Sequence, residues 1–197
     1  MAYTLVTGGA KSGKSSFSES LLESNTDVCY IATSVMNYKD SEMETRIERH
    51  QESRPKNWTT KEQFLGIDEL IYENHGNYSG FLLDCVTIWN TNFFYYLMEV
   101  ELEIPLAEID QVFEAYSGEE RRNIEERIFD EWKKIVNALA ETGAPMIMVT
   151  NEVGSGVVPM TLLGRWFQDL LGKVNQFLAK EAETVYFVVC GIPQKIK

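Results

Sequence analysis

Short apolar runs alternate with longer amphipathic stretches along the 197-residue chain, and this alternation predicts strands connected by helices. The first apolar run, Tyr3–Thr7, stops at two glycines and is followed by a helix-forming stretch over about residues 14–23. A second apolar run covers Val28–Ala32. Because two parallel strands need a crossover connection, this strand–loop–helix–strand order predicts a βαβ unit.

Later apolar runs are near-continuous, as in strands buried on both faces of a sheet: Phe81–Asp84, Met146–Thr150 and Val185–Val189. Amphipathic helices are predicted between them, over about residues 119–141 and 163–181, and the first of these ends at Gly143. The alternation predicts a doubly wound α/β fold with a mostly parallel sheet and helices on both faces. Without an internal repeat or a linker, residues 1–197 are expected to form a single domain.

Composition and charge narrow the classes of protein. An apolar fraction of 44% excludes a disordered chain, and a net charge of −12 argues against a nucleic-acid partner. Residues 99–131 hold twelve acidic residues and three arginines, so most of the acidity belongs to this one segment. We interpret residues 99–131 as a solvated, variable excursion, which leaves the rest of the chain able to bind a small anion.

The three cysteines, Cys29, Cys85 and Cys190, form no closely spaced pair and are predicted to be reduced, buried thiols. The amino-terminal residues lack the basic start and apolar run of a signal peptide. The longest apolar stretch, residues 81–98, contains Asp84, Asn90 and Asn92 and is a poor membrane span. We therefore expect a soluble, cytoplasmic protein without a membrane span.

Residues 8–15 match the phosphate-binding pattern G-x-x-x-x-G-K-[ST] and lie between a predicted strand and a predicted helix. The glycines allow successive backbone N–H groups to point at phosphate oxygens, while Lys14 reaches the β- and γ-phosphates and the Ser15 hydroxyl binds Mg²⁺. The fold is therefore expected to be P-loop NTPase-like. The predicted nucleotide-binding residues here are Gly8, Gly9, Ala10, Lys11, Ser12, Gly13, Lys14 and Ser15.

A P-loop protein also needs an acidic residue at the end of a later strand, and Asp84 is the candidate for this second Mg²⁺ ligand. The alternative is a solvated carboxylate at a strand end. No N-K-x-D motif occurs and no D-x-x-G follows Asp84, so a signalling GTPase is the weaker interpretation.

A predicted helix over residues 40–55 carries a stripe of Arg46, His50 and Arg54 at four-residue spacing. Cationic neighbours favour a neutral, nucleophilic imidazole, and arginines can neutralise charge on a transferring phosphorus. The same histidine also continues an i, i+4, i+7 row that begins at Met43, which would make it a core residue. The residues alone leave both interpretations open.

Together these motifs resemble the bifunctional adenosylcobinamide kinase / adenosylcobinamide-phosphate guanylyltransferase family of cobalamin biosynthesis. The matching blocks follow in order over nearly the whole chain: residues 5–15, 30–34, 42–58, 82–85, 149–159, 172–176 and 191–193. Residues 100–131 match nothing in the family pattern. Cys190 stands where a small polar residue is expected, and a buried cysteine would fill the same space.

The resemblance implies two reactions. A nucleoside triphosphate, ATP or GTP, phosphorylates adenosylcobinamide, and GTP then transfers GMP through His50 to the phosphate, giving adenosylcobinamide-GDP and pyrophosphate. It also implies Mg²⁺, a homotrimer, and nucleotide contacts at Gly8 to Ser15, Ala32, Thr33, Ser34, Gln51, Glu52, Ser53, Arg54, Glu62 and Asp84. A monofunctional small-molecule kinase in which His50 only positions phosphate, and a non-catalytic nucleotide sensor, are the alternatives.

Several residues remain open. Asn151 and Glu152 follow a predicted strand, where open α/β sheets bind ligands, or else form a capping turn. His75 is interpreted as a solvated loop residue. The aromatic residues of 89–96 are interpreted as core and subunit interface rather than as a corrinoid platform, and the glycine-rich turns at 154–159 and 191–193 as loops over the site or at a subunit contact.

Overall fold

A computed structural model of the protein describes residues 3–34 and 57–197. In chain order the elements are β1 Tyr3–Gly8, α1 Lys14–Ser20, β2 Val28–Ala32, β3 Thr59–Glu62, α2 Ile67–Asn74, β4 Gly80–Asp84, α3 Val86–Tyr96, α4 Ile109–Ala115, α5 Gly118–Thr142, β5 Met146–Val149, α6 Leu162–Glu181, β6 Thr184–Val189 and β7 Ile192–Lys195. A π-helical turn, Leu97–Glu101, extends α3.

The seven strands form one sheet in the order β3-β2-β4-β5-β1-β6-β7. All neighbouring pairs are parallel except β6 and β7, which are antiparallel. The carboxyl ends of six strands therefore meet at one edge of the sheet. The predicted P-loop NTPase-like α/β fold with a mostly parallel sheet is confirmed.

The two faces of the sheet are covered unequally in the described part of the chain. One face, with Leu5, Ile31, Leu83 and Met148, packs against apolar residues of α2 to α6. The other face, with Val6, Tyr30, Leu82, Ile147 and Val188, packs against Phe17 of α1 and Leu22 just after it. Strands with apolar residues on both faces explain why their sequences read as continuous apolar runs.

The predicted strands are all present. The ends of the two predicted amphipathic helices differ from the observed ends by at most one residue. Gly143 caps α5 in the left-handed region, with φ 67°, as its position after the helix indicated. The first helix is shorter than predicted, because the chain turns after Ser20 instead of continuing to residue 23. Sequence patterning missed β3, β7, α2, α3 and α4.

The acidic segment, residues 99–131, is helical over much of its length. Its apolar residues Ile109, Phe113, Ile124 and Ile128 are buried in the main core, while all of its carboxylate residues except Glu125 and Glu131 are exposed. The charge therefore lies on the outer surface of helices that the apolar residues attach to the protein.

The aromatic residues of α3 divide between core and partly exposed positions. Trp89, Phe93 and Phe94 are buried, and Tyr95 and Tyr96 are partly exposed. Among the described residues, no helix has the combination of length and hydropathy that crossing a membrane requires.

One prediction about the cysteines is wrong. Cys29 and Cys85 are buried as predicted, but Cys190 is exposed. It lies in the turn between β6 and β7 with φ 52°, so the chain reverses direction there and the side chain points away from the sheet core.

Candidate functional site

The loop after β1 adopts a tightly constrained backbone. Gly8 has φ 155°, and a Cβ placed there would lie 2.4 Å from the Val188 carbonyl oxygen. Gly13 has φ 97° and forms the residue before α1, where a Cβ would lie 3.0 Å from the Cα of Gly191. Both positions therefore require glycine, which is why the motif has glycine at its first and sixth positions.

Lys14 begins α1 and points back over this loop. Its side chain is 7% exposed, and its Nζ donates to the Gly9 carbonyl at 2.6 Å. Burial lowers the pKa of Lys14, while the nearby Cys85 and Asp84 act in the opposite direction. A buried ammonium beside the turn is suited to bind phosphate oxygens through charge-assisted hydrogen bonds.

Residues at four strand ends lie in register along the carboxyl edge. Ala32 pairs with both Glu62 and Asp84, and Asp84 pairs with Val149. The sheet thus brings together three of the residues predicted as nucleotide contacts, Ala32, Glu62 and Asp84, although they come from separate parts of the sequence. Glu62 is exposed and Asp84 is partly buried.

Asp84 is held by its neighbours at this edge. One of its carboxylate oxygens accepts a hydrogen bond from the Tyr30 hydroxyl at 2.7 Å. The following thiol, Cys85, has a pKa raised to about 12, mainly by burial and further by Asp84. Cys85 is therefore a neutral packing residue beside the site.

Thr33 has a structural use at this edge. Its hydroxyl donates to the Cys85 carbonyl and accepts from the Cys85 N–H, both at 2.9 Å, and the side chain is fully buried. The Thr33 carbonyl accepts from Asn92 Nδ2 of α3 at 2.5 Å. These bonds fix the end of β2 against the start of α3, and the adjacent Ser34 is partly buried.

The residues after β5 are fixed by a network of polar side chains. The Thr87 hydroxyl accepts from the backbone N–H and the Nδ2 of Asn151, at 3.1 and 3.0 Å. Asn175 donates to the Asn151 carbonyl and accepts from the buried Thr150 hydroxyl. Asn151 is therefore held between α3 and α6, and not by a local turn alone.

Glu152 connects this segment to the P-loop. Its N–H donates to the Gly8 carbonyl at 3.1 Å, and its Oε1 accepts from the Thr7 hydroxyl at 2.8 Å. Asn151 and Glu152 thus lie where the sequence suggested a ligand edge. Thr7, Thr87 and Asn175 were not singled out from the sequence, because isolated threonines and asparagines carry no motif.

The turn between β6 and β7 also contacts the P-loop. The Gly191 N–H donates to the Ser12 carbonyl at 2.8 Å. The Ser12 hydroxyl is buried and has no hydrogen-bond partner in the described part of the chain. Of the two glycine-rich turns predicted to lie over the site or at a subunit contact, the turn at 191–193 therefore contacts the P-loop, whereas residues 154–159 form a mostly exposed loop.

Some predicted site residues lie outside the described ranges: Arg46, His50, Gln51, Glu52, Ser53 and Arg54. The other histidine, His75, is exposed at the end of α2, as predicted for a solvated residue, and its Nδ1 lies 2.9 Å from the Tyr72 carbonyl.

The oxygen donors present suit a magnesium ion that is shared with a nucleotide. Residues 3–34 and 57–197 contain no group of three or more His, Cys, Asp or Glu side chains that could hold a metal. Mg²⁺ usually keeps several waters and takes one or two protein oxygens together with substrate phosphates. The Ser15 hydroxyl at the start of α1 and the Asp84 carboxylate are such a donor set.

The phosphate-binding loop follows the central strand β1 of a mostly parallel sheet, and the Asp84 carboxylate ends β4, two strands away. This combination defines the class of P-loop nucleotide-binding proteins. A family model described as CobU, cobinamide kinase / cobinamide phosphate guanyltransferase, matches residues 4–196. The chain belongs to this family and is therefore a bifunctional enzyme, a kinase and a guanylyltransferase.

Three curated relatives align with the chain over almost their full length. The chain is 38% identical to the bifunctional adenosylcobalamin biosynthesis protein CobU of Escherichia coli (strain K12), covering 98% of both proteins. It is 40% identical to the protein of the same name from Salmonella typhimurium, again over 98% of both. The bifunctional adenosylcobalamin biosynthesis protein CobP of Pseudomonas aeruginosa is 33% identical, over 98% of this chain and 96% of that protein.

Proposed function

We propose that the chain phosphorylates adenosylcobinamide and then guanylylates the product, and that both reactions use nucleotide bound at the P-loop edge of the sheet. The observation that carries the proposal is the buried Lys14 over a glycine turn, on the same edge as Asp84. Family membership gives the two reactions, and the position of Lys14 beside the glycine turn supports binding of the triphosphate there.

In the kinase reaction, the hydroxyl oxygen of the aminopropanol arm attacks the γ-phosphorus, the bond to the departing nucleoside diphosphate breaks, and the hydroxyl proton is released to solvent. Little covalent chemistry is left to the protein, so its main contributions are position and charge. The N–H groups of residues 9–13 and the start of α1 bind the phosphates, and the Lys14 ammonium offsets the negative charge of the transferring group.

In the guanylyl transfer, a neutral imidazole nitrogen of His50 attacks the α-phosphorus of GTP and pyrophosphate leaves. The phosphate oxygen of adenosylcobinamide phosphate then attacks the same phosphorus, which releases the imidazole and forms adenosylcobinamide-GDP. The covalent intermediate divides the guanylyl transfer into two displacements, and each displacement needs only one nucleophile. Arg46 and Arg54 support this role by their four-residue spacing from His50.

We further propose that Ser15 and Asp84 hold Mg²⁺ with the nucleotide. The ion would neutralise phosphate charge and orient the phosphate groups. Gln51 to Ser53, Thr33, Ser34 and Glu62 remain proposed nucleotide contacts.

A labelling experiment tests the proposal. The protein is incubated with Mg²⁺ and GTP labelled at the α-phosphate, and an acid-labile, alkali-stable protein adduct is expected. His50→Ala should abolish the adduct and spare phosphorylation of adenosylcobinamide, because the histidine has no part in the γ-phosphoryl transfer. His75→Ala is the matched control and should label normally, since His75 lies in an exposed turn.

Two outcomes would contradict the proposal. A wild-type protein that phosphorylates adenosylcobinamide but forms no adduct would be a monofunctional kinase. A folded His50→Ala protein without kinase activity would show that His50 positions phosphate.

We also propose that the enzyme is a homo-oligomer, a trimer by resemblance, and that it works in the cytoplasm, where its nucleoside triphosphate substrates are available. Exposed apolar side chains support an association between copies: Val157, Val158, Met160 and Ile192 are 92%, 67%, 96% and 70% exposed. Light scattering coupled to size exclusion measures the mass, and a monomer at micromolar concentration would contradict the proposal.

A further inference from the structure

A groove lies between α3, α4 and the start of α6. It encloses about 330 Å³, with Phe94, Leu163 and Phe167 supplying apolar walls and Asp110 a carboxylate. Thr91 and Tyr95 add hydroxyl groups. The nucleotide machinery uses none of these side chains, so the groove is available for another part of a substrate.

Hydroxyl groups connect the groove to the strand edge. Thr87, Thr91 and Tyr95 follow one another at four-residue spacing and so lie along one side of α3. Thr87 binds Asn151 at the carboxyl end of β5, the strand that pairs with Asp84 in β4. From Thr87 to Tyr95 the helix rises about 12 Å, and the stripe leads from the phosphate edge outward into the groove.

The outer rim of the groove is held in place. Arg165 donates to the carbonyls of Pro159 and Met160 at 3.1 and 2.7 Å, and the Thr161 hydroxyl caps α6 by accepting from the Gly164 N–H. The backbone at Thr161 and Gly164, which line the groove, is therefore held at a defined position.

Cobinamide matches this combination of groups. Its macrocycle has broad apolar faces and a fringe of neutral amide side chains, which form hydrogen bonds with hydroxyls and carboxylates. An alkyl-cobalt(III) corrinoid of this kind carries a net positive charge, which the Asp110 carboxylate of the groove complements. A volume of about 330 Å³ accepts one edge of the corrinoid and not the whole.

We propose that the groove between α3, α4 and α6 binds the amide-fringed edge of the cobinamide macrocycle, so that the aminopropanol arm follows the hydroxyl stripe of α3 to the phosphate edge. The inference rests on the proposed function, because it concerns the acceptor of both reactions. In this arrangement Asp110, Tyr95 and Thr91 recognise the acceptor, and they do not take part in binding nucleotide.

Three variants test the groove. Thr91→Lys adds bulk and positive charge within it and should raise the KM for adenosylcobinamide at least about tenfold. Tyr95→Phe removes one hydroxyl and should raise this KM about two- to tenfold. Asp110→Asn removes an exposed charge and should raise it about two- to fivefold. The KM for nucleotide and the formation of the GMP adduct, which needs no acceptor, should stay within about twofold.

The matched control is Glu126→Gln, which removes the same charge from a different part of the acidic surface. Glu126 lines a separate cavity of about 420 Å³ beside Tyr116 and Arg127, on the outer side of α5. Its KM for adenosylcobinamide should equal that of the wild type. Equilibrium dialysis followed by the visible absorbance of adenosylcobinamide gives the same comparison without turnover.

The outcomes separate the inference from the proposed function. If the wild type neither phosphorylates adenosylcobinamide nor forms an adduct, the proposed function fails. If it does both, and the folded groove variants bind adenosylcobinamide as the wild type does, the groove assignment alone is wrong. If a groove variant changes the mass measured by light scattering but not the KM for adenosylcobinamide, the groove is a contact between copies. If Glu126→Gln raises the KM for adenosylcobinamide, the acceptor binds at the other cavity.

Discussion

The loops after β1 and β5 lie side by side at the carboxyl edge, but they are built differently. The loop after β1 turns within residues 9–13 and depends on two glycines whose positions no other residue can take without strain. The connection after β5 runs from residue 150 to 161 and is held by side chains from distant elements, among them Thr87 and Asn175. One loop is defined by its own sequence and the other by its surroundings.

We expect the two loops to differ in function as well. The phosphate groups of any nucleotide are alike, so a short backbone cradle with one lysine binds them regardless of the reaction. An acceptor with a particular shape needs a surface assembled from several helices. We therefore expect changes on the β1 side to affect both reactions, and changes on the β5 side to affect only the steps that use the acceptor.

The largest expected effect is that of Lys14→Ala. Loss of the buried ammonium should lower kcat/KM about 100- to 1,000-fold for both the kinase and the guanylyl transfer, because both develop charge on phosphate oxygens. Steady-state kinetics with each nucleotide measures it. Lys133→Ala, which removes a lysine paired with Asp130 on the surface of α5, is the control and should have little effect. Normal guanylyl transfer by the Lys14→Ala variant would contradict the expectation that the loop after β1 serves both reactions.

The next prediction concerns the backbone of the same loop. Gly8→Ala places a Cβ 2.4 Å from the Val188 carbonyl oxygen and should lower the free energy of unfolding by about 2–3 kcal/mol. Urea denaturation followed by circular dichroism measures this as a shift in midpoint at an unchanged slope. At Gly9 a Cβ would meet nothing within 4 Å, so Gly9→Ala is a control from the same loop with an expected change near zero. Equal stability of the two variants would show that the loop relaxes around the added carbon.

A smaller effect is expected on the β5 side. Thr87→Val leaves two donors of Asn151 without their acceptor and should lower the free energy of unfolding by about 1–2 kcal/mol. The adduct with GTP should still form. Thr91→Val provides the comparison, because the Thr91 hydroxyl donates to the Thr87 carbonyl within its own helix, and its removal should change stability by less than about 0.5 kcal/mol. If Thr87→Val also prevents the adduct, the two loops do not act separately.

The smallest expected effect is a difference in reactivity among the three cysteine thiols. Burial raises the pKa of Cys29 to about 11 and that of Cys85 to about 12, whereas Cys190 is exposed. At pH 8 a thiol reagent should modify Cys190 in the native protein and all three cysteines after unfolding. Mass spectrometry of the peptides identifies the modified residue. Rapid native modification of Cys85 would mean that the edge between the two loops opens readily.

The sequence predicted most of the central sheet because its strands are buried on both faces and have continuous apolar sequences. The missed strands are at the edges: all residues of β3 and β7 are exposed, so no apolar pattern identifies them. The aromatic-rich helix α3 is apolar on most sides because it packs between the sheet edge and other helices. It therefore has no single apolar stripe by which to recognise it.

The candidate site was predictable where a motif specifies the backbone, as from Gly8 to Ser15, and where a carboxylate ends an apolar strand, as at Asp84. Thr87 and Asn175 were not predictable, because their roles depend on hydrogen bonds to Asn151 across 64 and 24 residues of sequence. The exposure of Cys190 likewise depends on β7 turning back, which nothing in the apolar pattern indicates.

The position of β1 in the sheet has a consequence for how the protein is made. Its two neighbours are β5 and β6, so Tyr3 pairs with Met146 and Thr4 with Thr184. A ribosome adding about 5–20 residues per second needs roughly 10–35 s between making β1 and making β6. Until β5 has been made, the apolar strand that carries the phosphate loop has no partner strand on either side, and until β6 has been made it has a partner on one side only. Slow folding is the expected result of this order, because the central strand pairs with strands far away in the sequence.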